Sequence, residues 1–232
     1  KMIKVTSTAA NEGVLLKGEV GRTYTYQIAE TDPGLYTGNR VIGVREDTTL
    51  VQTESDGKSN WVLQSDYKLH LVSNGTIKLK GIVNTYGEKA EGKVPYLTGG
   101  IWTKNKIDFA EGIIEIRFKV EDLEGAWPAL WLLNNDSTPW PDGGEIDIME
   151  RFNLEDYLTL SAHSYYTYNL GIENSPRNTG VSSFKHGEFN IIALEIQKDL
   201  LIWWVNGERK FEYPRVDTNH KTQFPFNDHR YF

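Results

Sequence analysis

Residues 189–213 read FNIIALEIQKDLLIWWVNGERKFEY, and this stretch decides the fold. Apolar residues fill Phe189 to Gln197 and Leu200 to Val205 in short blocks on either side of Lys198-Asp199, and Asn206-Gly207 then leads into Lys210-Phe211-Glu212-Tyr213. Asn-Gly favours a positive-φ turn whose twist matches that of two paired strands. The stretch is therefore predicted as a three-strand antiparallel meander. Upstream, Thr76 to Val83, Ile113 to Val120 and Leu158 to Tyr165 follow the same period-2 pattern or run in short apolar blocks, and none has helical spacing. Many short antiparallel strands imply an all-β fold, a sandwich or jelly roll. No internal repeat or low-complexity linker interrupts the chain.

Composition narrows the chemistry. A length of 232 residues suits one sizeable all-β core. The formal charge is −7, and the 25 basic residues form no block that could track phosphates, which argues against nucleic acid as a partner. No stretch approaches the roughly 18 apolar residues of a membrane helix, and the sequence from Lys1 has no charged-then-apolar signal pattern, so the chain reads as soluble. With no cysteine, disulfides, thiolate nucleophiles and Cys-ligated zinc are all excluded; carboxylates, His, Ser and Tyr remain. Seven Trp among 12% aromatic residues leave rings to spare for a ligand, and sugar faces are one candidate. Residues 1–58 contain strand-like pieces at Thr23–Ile28 and Arg40–Val44 but no chemical motif, and are expected to join the same sandwich as residues 59–232.

The strongest chemical signal is Gly143-Gly144-Glu145-Ile146-Asp147-Ile148-Met149-Glu150. Glu145 and Asp147 are two apart and share a strand face, with Ile146 and Ile148 pointing into packing. Glu150 is five residues from Glu145, so strict alternation would turn it to the other face, and a one-residue bulge near Met149 is required to bring it back. Three acids on one face cannot all ionise freely, so the pKa of at least one should rise. Glycoside hydrolysis uses that division between a carboxylate nucleophile and a protonated acid. Position assigns Glu145 as nucleophile, Glu150 as acid/base and Asp147 as the group that tunes Glu145. An acidic solvated strand face, or a calcium site built from the same oxygens, is the bland alternative.

The Glu145-Ile146-Asp147-Ile148-Met149-Glu150 run resembles the signature of family 16 glycoside hydrolases, in the form carried by laminarinase-like members. The resemblance extends through Tyr96–Ile101, Gly112–Arg117, Gly125–Leu133, Trp140–Gly144 and Gln223–Phe226. It implies a β-jelly-roll of two antiparallel sheets with a concave cleft for an extended polysaccharide, and an endo-acting, retaining, cofactor-free hydrolase acting as a monomer. By the same resemblance Glu145, Asp147 and Glu150 are catalytic. Trp140, Trp131, Trp127, His163, Glu115 and Arg117 fall where family members contact substrate, the Trp rings being suited to sugar C–H faces. The text from Gly81-Ile82-Val83-Asn84 through His163-Ser164-Tyr165-Tyr166-Thr167 to Tyr213-Pro214-Arg215 is most similar to a branch common in gut Bacteroidetes, which includes β-glucanases and endo-β-galactosidases of mucin-type O-glycans.

Departures from the family pattern shape the substrate expectation. The Asn-Asn-Glu and Tyr-Thr segment common in laminarinase-like enzymes is replaced by Asn60-Trp61-Val62-Leu63-Gln64-Ser65-Asp66-Tyr67. Cleavage of β-galactosidic bonds in poly-N-acetyllactosamine or mucin O-glycans is therefore expected ahead of endo-β-1,3(4)-glucanase activity. A non-catalytic carbohydrate-binding protein is the alternative from another class. Polysaccharides cannot enter a cytoplasm intact, so an extracellular, periplasmic or cell-surface location is expected. Beyond Pro225-Phe226 the family continues with two further strands absent from this sequence, and Phe224 to Tyr231 reads as the approach to another strand.

Overall fold

The computed structural model describes residues 16–18, 49–52, 61–63, 70–73, 76–83, 96–104, 107–218 and 220–232. The strand-like pieces expected at Thr23–Ile28 and Arg40–Val44, with most of residues 1–58, lie outside them. In chain order the strands are β1 (Leu16–Gly18), β2 (Thr49–Gln52), β3 (Trp61–Leu63), β4 (His70–Ser73), β5 (Thr76–Leu79), β6 (Gly81–Val83), β7 (Tyr96–Ile101), β8 (Gly112–Phe118), β9 (Ala129–Leu133), β10 (Glu145–Glu150), β11 (Tyr157–His163), β12 (Thr179–Ser183), β13 (Asn190–Gln197), β14 (Leu200–Val205) and β15 (Glu208–Pro214). One single-turn α-helix, α1 (Tyr165–Tyr168), accompanies them among the described residues, where no helix is long and apolar enough to cross a membrane.

These elements fall into two compact units. In the unit holding β2 to β7, an antiparallel sheet runs β3-β2-β7-β6, beside a β4–β5 hairpin. The Thr76–Val83 run expected as one strand is broken at Lys80, so that β5 pairs with β4 while β6 pairs with β7.

The unit holding β1 and the chain from Lys104 onward is a two-sheet sandwich. One sheet runs β1-β8-β13-β14-β15 and the other β12-β11-β10-β9, all antiparallel. Alternation places Ile114 and Phe118 of β8, Ile192, Leu194 and Ile196 of β13, and Leu201, Trp203 and Val205 of β14 in one buried cluster with Ile146, Ile148 and Met149 of β10 and Leu158, Leu160 and Ala162 of β11. The meander forms as read. Asn206 and Gly207 adopt φ 51° and 83°, the paired positive values of a tight hairpin. Asn206 also accepts from Ile191 N at 3.0 Å through Oδ1, stitching the turn to the strand before last.

Two stretches depart from the sequence reading. β11 ends at His163, because Ser164 caps α1: Ser164 N donates to Thr167 Oγ1 at 2.9 Å, and Thr167 N donates back to Ser164 Oγ at 3.5 Å. Phe224 to Tyr231, expected to approach another strand, instead holds the 3₁₀ turn Pro225–Asn227, preceded by a second at Lys221–Gln223. The backbone then runs beside β9, with Phe232 N donating to Leu133 O at 2.9 Å and Tyr231 exchanging bonds of 2.7 and 2.8 Å with Phe109.

Candidate active site

The site is built on β10, where register decides which way the acids face. Against β11, Asp147 pairs with Ser161 and Glu150 with Thr159, so three steps on β10 match two on its neighbour. Against β9, Asp147 pairs with Trp131 and Met149 with Leu130. One extra residue is thus accommodated at Ile148–Met149, the bulge that the spacing required. Both bulge side chains enter the core, at 1% and 2% exposure, and this double step inward returns Glu150 to the face of Glu145 and Asp147. Trp203, fully buried on the opposite sheet, donates its indole N–H to Asp147 O at 3.0 Å. That bond ties the strand across the core at the residue where the ladder loses step.

Beyond Glu150 the chain is anchored by Arg151, a buried cation at 1% exposure. Its guanidinium donates to Glu155 O at 2.8 Å and Glu121 O at 3.0 Å and pairs with Asp122 at 2.6 Å, while its backbone N–H donates to Pro128 O at 3.1 Å. Nε, Nη1 and Nη2 of this cation thus each meet an acceptor, as a buried charge demands.

The outward row of this sheet reads Trp131 and Leu133 on β9, Glu145, Asp147 and Glu150 on β10, and Thr159, Ser161 and His163 on β11. His163 Nε2 lies 3.1 Å from Asp147 Oδ2. Asp147 and the Trp140 indole both bear on the Glu145 carboxyl, the first raising its pKa and the second lowering it. Burial, and then the Asp147 charge, push Glu145 up to about 7. Burial followed by Asp147 also raises Glu150, partly offset by Trp127, whose Nε1 donates to Glu150 Oε1 at 2.8 Å. For His163, burial favours the neutral ring, but the Asp147 hydrogen bond and the charges of Asp147, Glu145 and Glu150 outweigh it, and its pKa is raised. Asp147 and His163 sense both glutamates, so the four groups form one electrostatic cluster on one face.

The aromatic rim comes from loops at the two ends of β10. Trp127, 64% exposed, packs on Phe152 at 4.9 Å between centroids and sits over Glu150. Trp140 belongs to the β9–β10 loop, which is held by Asp136. The Asp136 carboxylate accepts from Thr138 N and Asn134 Nδ2, each at 2.8 Å, and faces His229 Nδ1 at 2.7 Å, contacts that hold it well below the usual carboxylate range. A Cβ on Gly143 would lie 2.4 Å from Asn134 Oδ1, which explains a glycine there. Tyr231 Oη donates to Gly143 O at 2.7 Å, two residues before Glu145.

Of the residues predicted for the site, the structure brings together Glu145, Asp147, Glu150, His163, Trp127, Trp131 and Trp140. It does not bring Glu115 or Arg117 there. Both lie on β8 in the other sheet, on the face turned away from Ile114 and Phe118 of the core; Arg117 stacks on Phe189 at 3.5 Å, and Glu115 pairs in register with Ala193 and Leu16. They share the outward face of β8, which is not the face that carries the acids. Ser161, Thr159 and Tyr168 are present at the acid face without having been predicted. The polar Thr159-x-Ser161-x-His163 alternation is the signal that marks the first two. Among the described residues no group of three or more His, Asp and Glu is disposed to hold a metal ion.

The fold is a jelly-roll sandwich with a row of carboxylates on one sheet face. Residues 97–195 match the family model described as an XgeA-like, catalytic GH16 domain. A keratan-sulfate endo-1,4-β-galactosidase of Sphingobacterium multivorum is 26% identical over 137 residues, 58% of this chain and 32% of the relative. A β-glucanase of Rhodothermus marinus is 28% identical over 139 residues, 57% of this chain and 48% of the relative. The solved laminarinase of Rhodothermus marinus superposes with a TM-score of 0.63 at 23% identity, covering 74% of this chain and 69% of that one, a likeness of fold. The chain thus spans between a third and a half of the length of these two curated relatives.

Proposed function

We propose that the chain is a retaining, endo-acting glycoside hydrolase that cleaves internal β-linkages of a polysaccharide or glycan by double displacement. The observation that carries the reading is the bulge at Ile148–Met149, which puts Glu145 and Glu150 on one face with Asp147 between them. Glu145, once ionised, is the anion that attacks the anomeric carbon. Glu150, whose pKa is raised by burial and then by Asp147, gives its proton to the leaving oxygen and then deprotonates the water that releases the glycosyl-enzyme. Retention requires the two carboxyls about 5–5.5 Å apart around the bond. His163, raised by its acidic neighbours, balances Asp147. Binding alone has no use for three mutually repelling carboxyls, which argues against a non-catalytic carbohydrate-binding role.

The substrate proposed first is a β-galactosidic bond of poly-N-acetyllactosamine or mucin O-glycans, supported by the missing Asn-Asn-Glu segment and the keratan-sulfate-cleaving relative. Endo-β-1,3(4)-glucan cleavage is the second reading, favoured by the β-glucanase relative. Such substrates place the protein outside the cytoplasm, in the periplasm, at the cell surface or beyond it, acting as a monomer. The test is side-by-side digestion of keratan-type glycans, mucin O-glycans, laminarin and mixed-linkage glucan, with the product anomer followed by NMR. Release of oligosaccharides with the starting β-configuration is expected, and Glu145→Gln or Glu150→Gln should abolish it. Turnover by both variants at the wild-type rate would overturn the assignment.

A further inference from the structure

β9 ends at Leu133, β10 begins at Glu145 and β11 ends at His163, and these three residues are register partners. The loop after β9 and the connection after β11 therefore leave the sheet at one end, the end that carries Glu145. The first loop brings Trp140 and the second brings α1. α1 is only one turn long, yet it is firmly held. Its capping residues Ser164 and Thr167 are 0% and 1% exposed, and Tyr166 is buried with its Oη donating to Ser175 O at 2.8 Å. Downstream, Ile172 N donates to Tyr166 O at 3.2 Å. The last residue of this held turn, Tyr168, is 61% exposed, and its ring meets that of Trp140 edge-on, with centroids 4.4 Å apart and planes at 65°.

We propose that Tyr168 is a substrate-contacting and specificity-determining residue that forms, with Trp140, an aromatic corner receiving one pyranose ring of the glycan beside Glu145; the inference rests on the glycan-hydrolase reading. Trp140 sits on the loop that leads into Glu145 and its indole bears on that carboxyl, so a sugar held there lies near the indole. Tyr168 supplies a second wall at a steep angle to the first. One wall takes the apolar C–H face of a pyranose and the other its edge, and the Tyr168 hydroxyl adds a polar handle for a sugar hydroxyl. A single flat platform would accept any extended chain of β-linked sugars, whereas two walls meeting at an angle select for ring shape and for the orientation of the next linkage.

The test compares wild type, Tyr168→Phe and Tyr168→Ala on an oligosaccharide of repeating N-acetyllactosamine and a β-1,3-gluco-oligosaccharide of similar length. Kinetics are measured alongside binding, followed by tryptophan fluorescence in the Glu145→Gln background. Tyr168→Ala should raise KM and weaken binding about 3- to 10-fold, with kcat changed less than twofold, and Tyr168→Phe should fall between it and wild type. The two oligosaccharides should be affected unequally. Because Tyr168 is exposed, melting temperatures of the variants should match wild type. A fall in kcat with KM and binding unchanged would make Tyr168 a prop for Trp140 alone and overturn the proposal, as would variants indistinguishable from wild type. Binding that weakens as expected in a protein that cleaves neither glycan would uphold the corner and overturn hydrolysis; a wild type that binds neither would overturn both.

Discussion

Replacing Glu145 by Gln should stabilise the fold while abolishing cleavage, and the gain should depend on pH. In the folded protein, burial and the neighbouring Asp147 raise the carboxyl from 4.5 to about 7. The folded state therefore holds this proton more tightly than the unfolded chain does. The stabilisation is complete below pH 4.5 and is lost as pH rises through 7, by about 3 kcal/mol once both states are ionised. Gln matches the neutral acid in shape and cannot ionise. At pH 4 the variant and wild type should be close in stability, and at pH 8 the variant should be more stable by about 2–3 kcal/mol, because Asp147 retains part of the strain of the pair. At about 2–4 °C per kcal/mol for a chain of this size, the melting temperature should rise by roughly 5–10 °C at pH 8 and little at pH 4. Calorimetry or denaturant unfolding of both proteins at the two pH values reads this directly. A stability difference that does not change with pH, or a variant less stable at pH 8, would refute the buried-proton account of Glu145.

Trp127→Phe removes the indole donor that favours ionised Glu150, so the Glu150 pKa should rise further and the alkaline limb of the kcat/KM profile should move to higher pH by up to about one unit. Trp203→Phe keeps most of the buried volume but deletes the donor to Asp147 O; we expect about 1–2 kcal/mol lower stability by denaturant titration and a fall in kcat with KM held within twofold. Arg151→Met takes one partner from Asp122 and strands the Glu121 and Glu155 carbonyls beneath the exit of β10, and should cost about 2–4 kcal/mol by the same titration. Gly143→Ala drives a methyl into Asn134 and should unseat the Trp140 loop, visible as a changed tryptophan emission spectrum and reduced activity.

Much of the architecture is legible because strand patterning is local. Asn206-Gly207 states its own turn, and the alternation of Ile192, Leu194 and Ile196 states its own face. The bulge, too, is legible, since a five-residue step between like-facing acids requires one extra residue in the ladder. Glu115 and Arg117 mark where that logic ends. Period-2 patterning separates core from non-core, but the acid-bearing face and the outer face of the other sheet are both non-core, and only strand order tells them apart. Ser164 and Tyr165 read as the tail of a strand, although Ser164-x-x-Thr167 carries a capping pair; the β-favouring aromatic run hides a signal worth a single turn of helix. Trp203 could be read only as core, because nothing in Leu-Leu-Ile-Trp-Trp-Val reveals which indole finds a carbonyl on the facing sheet.

The doubled inward step at Ile148–Met149 gives the strand a tolerance that an even ladder lacks. Removing Met149 would restore simple alternation over a Glu-Ile-Asp-Ile-Glu run, and the acids would still look the same way. A one-residue insertion or loss at this point therefore changes how the hydrophobic interior is filled without reversing the catalytic face, so length variation there need not mean a change of chemistry.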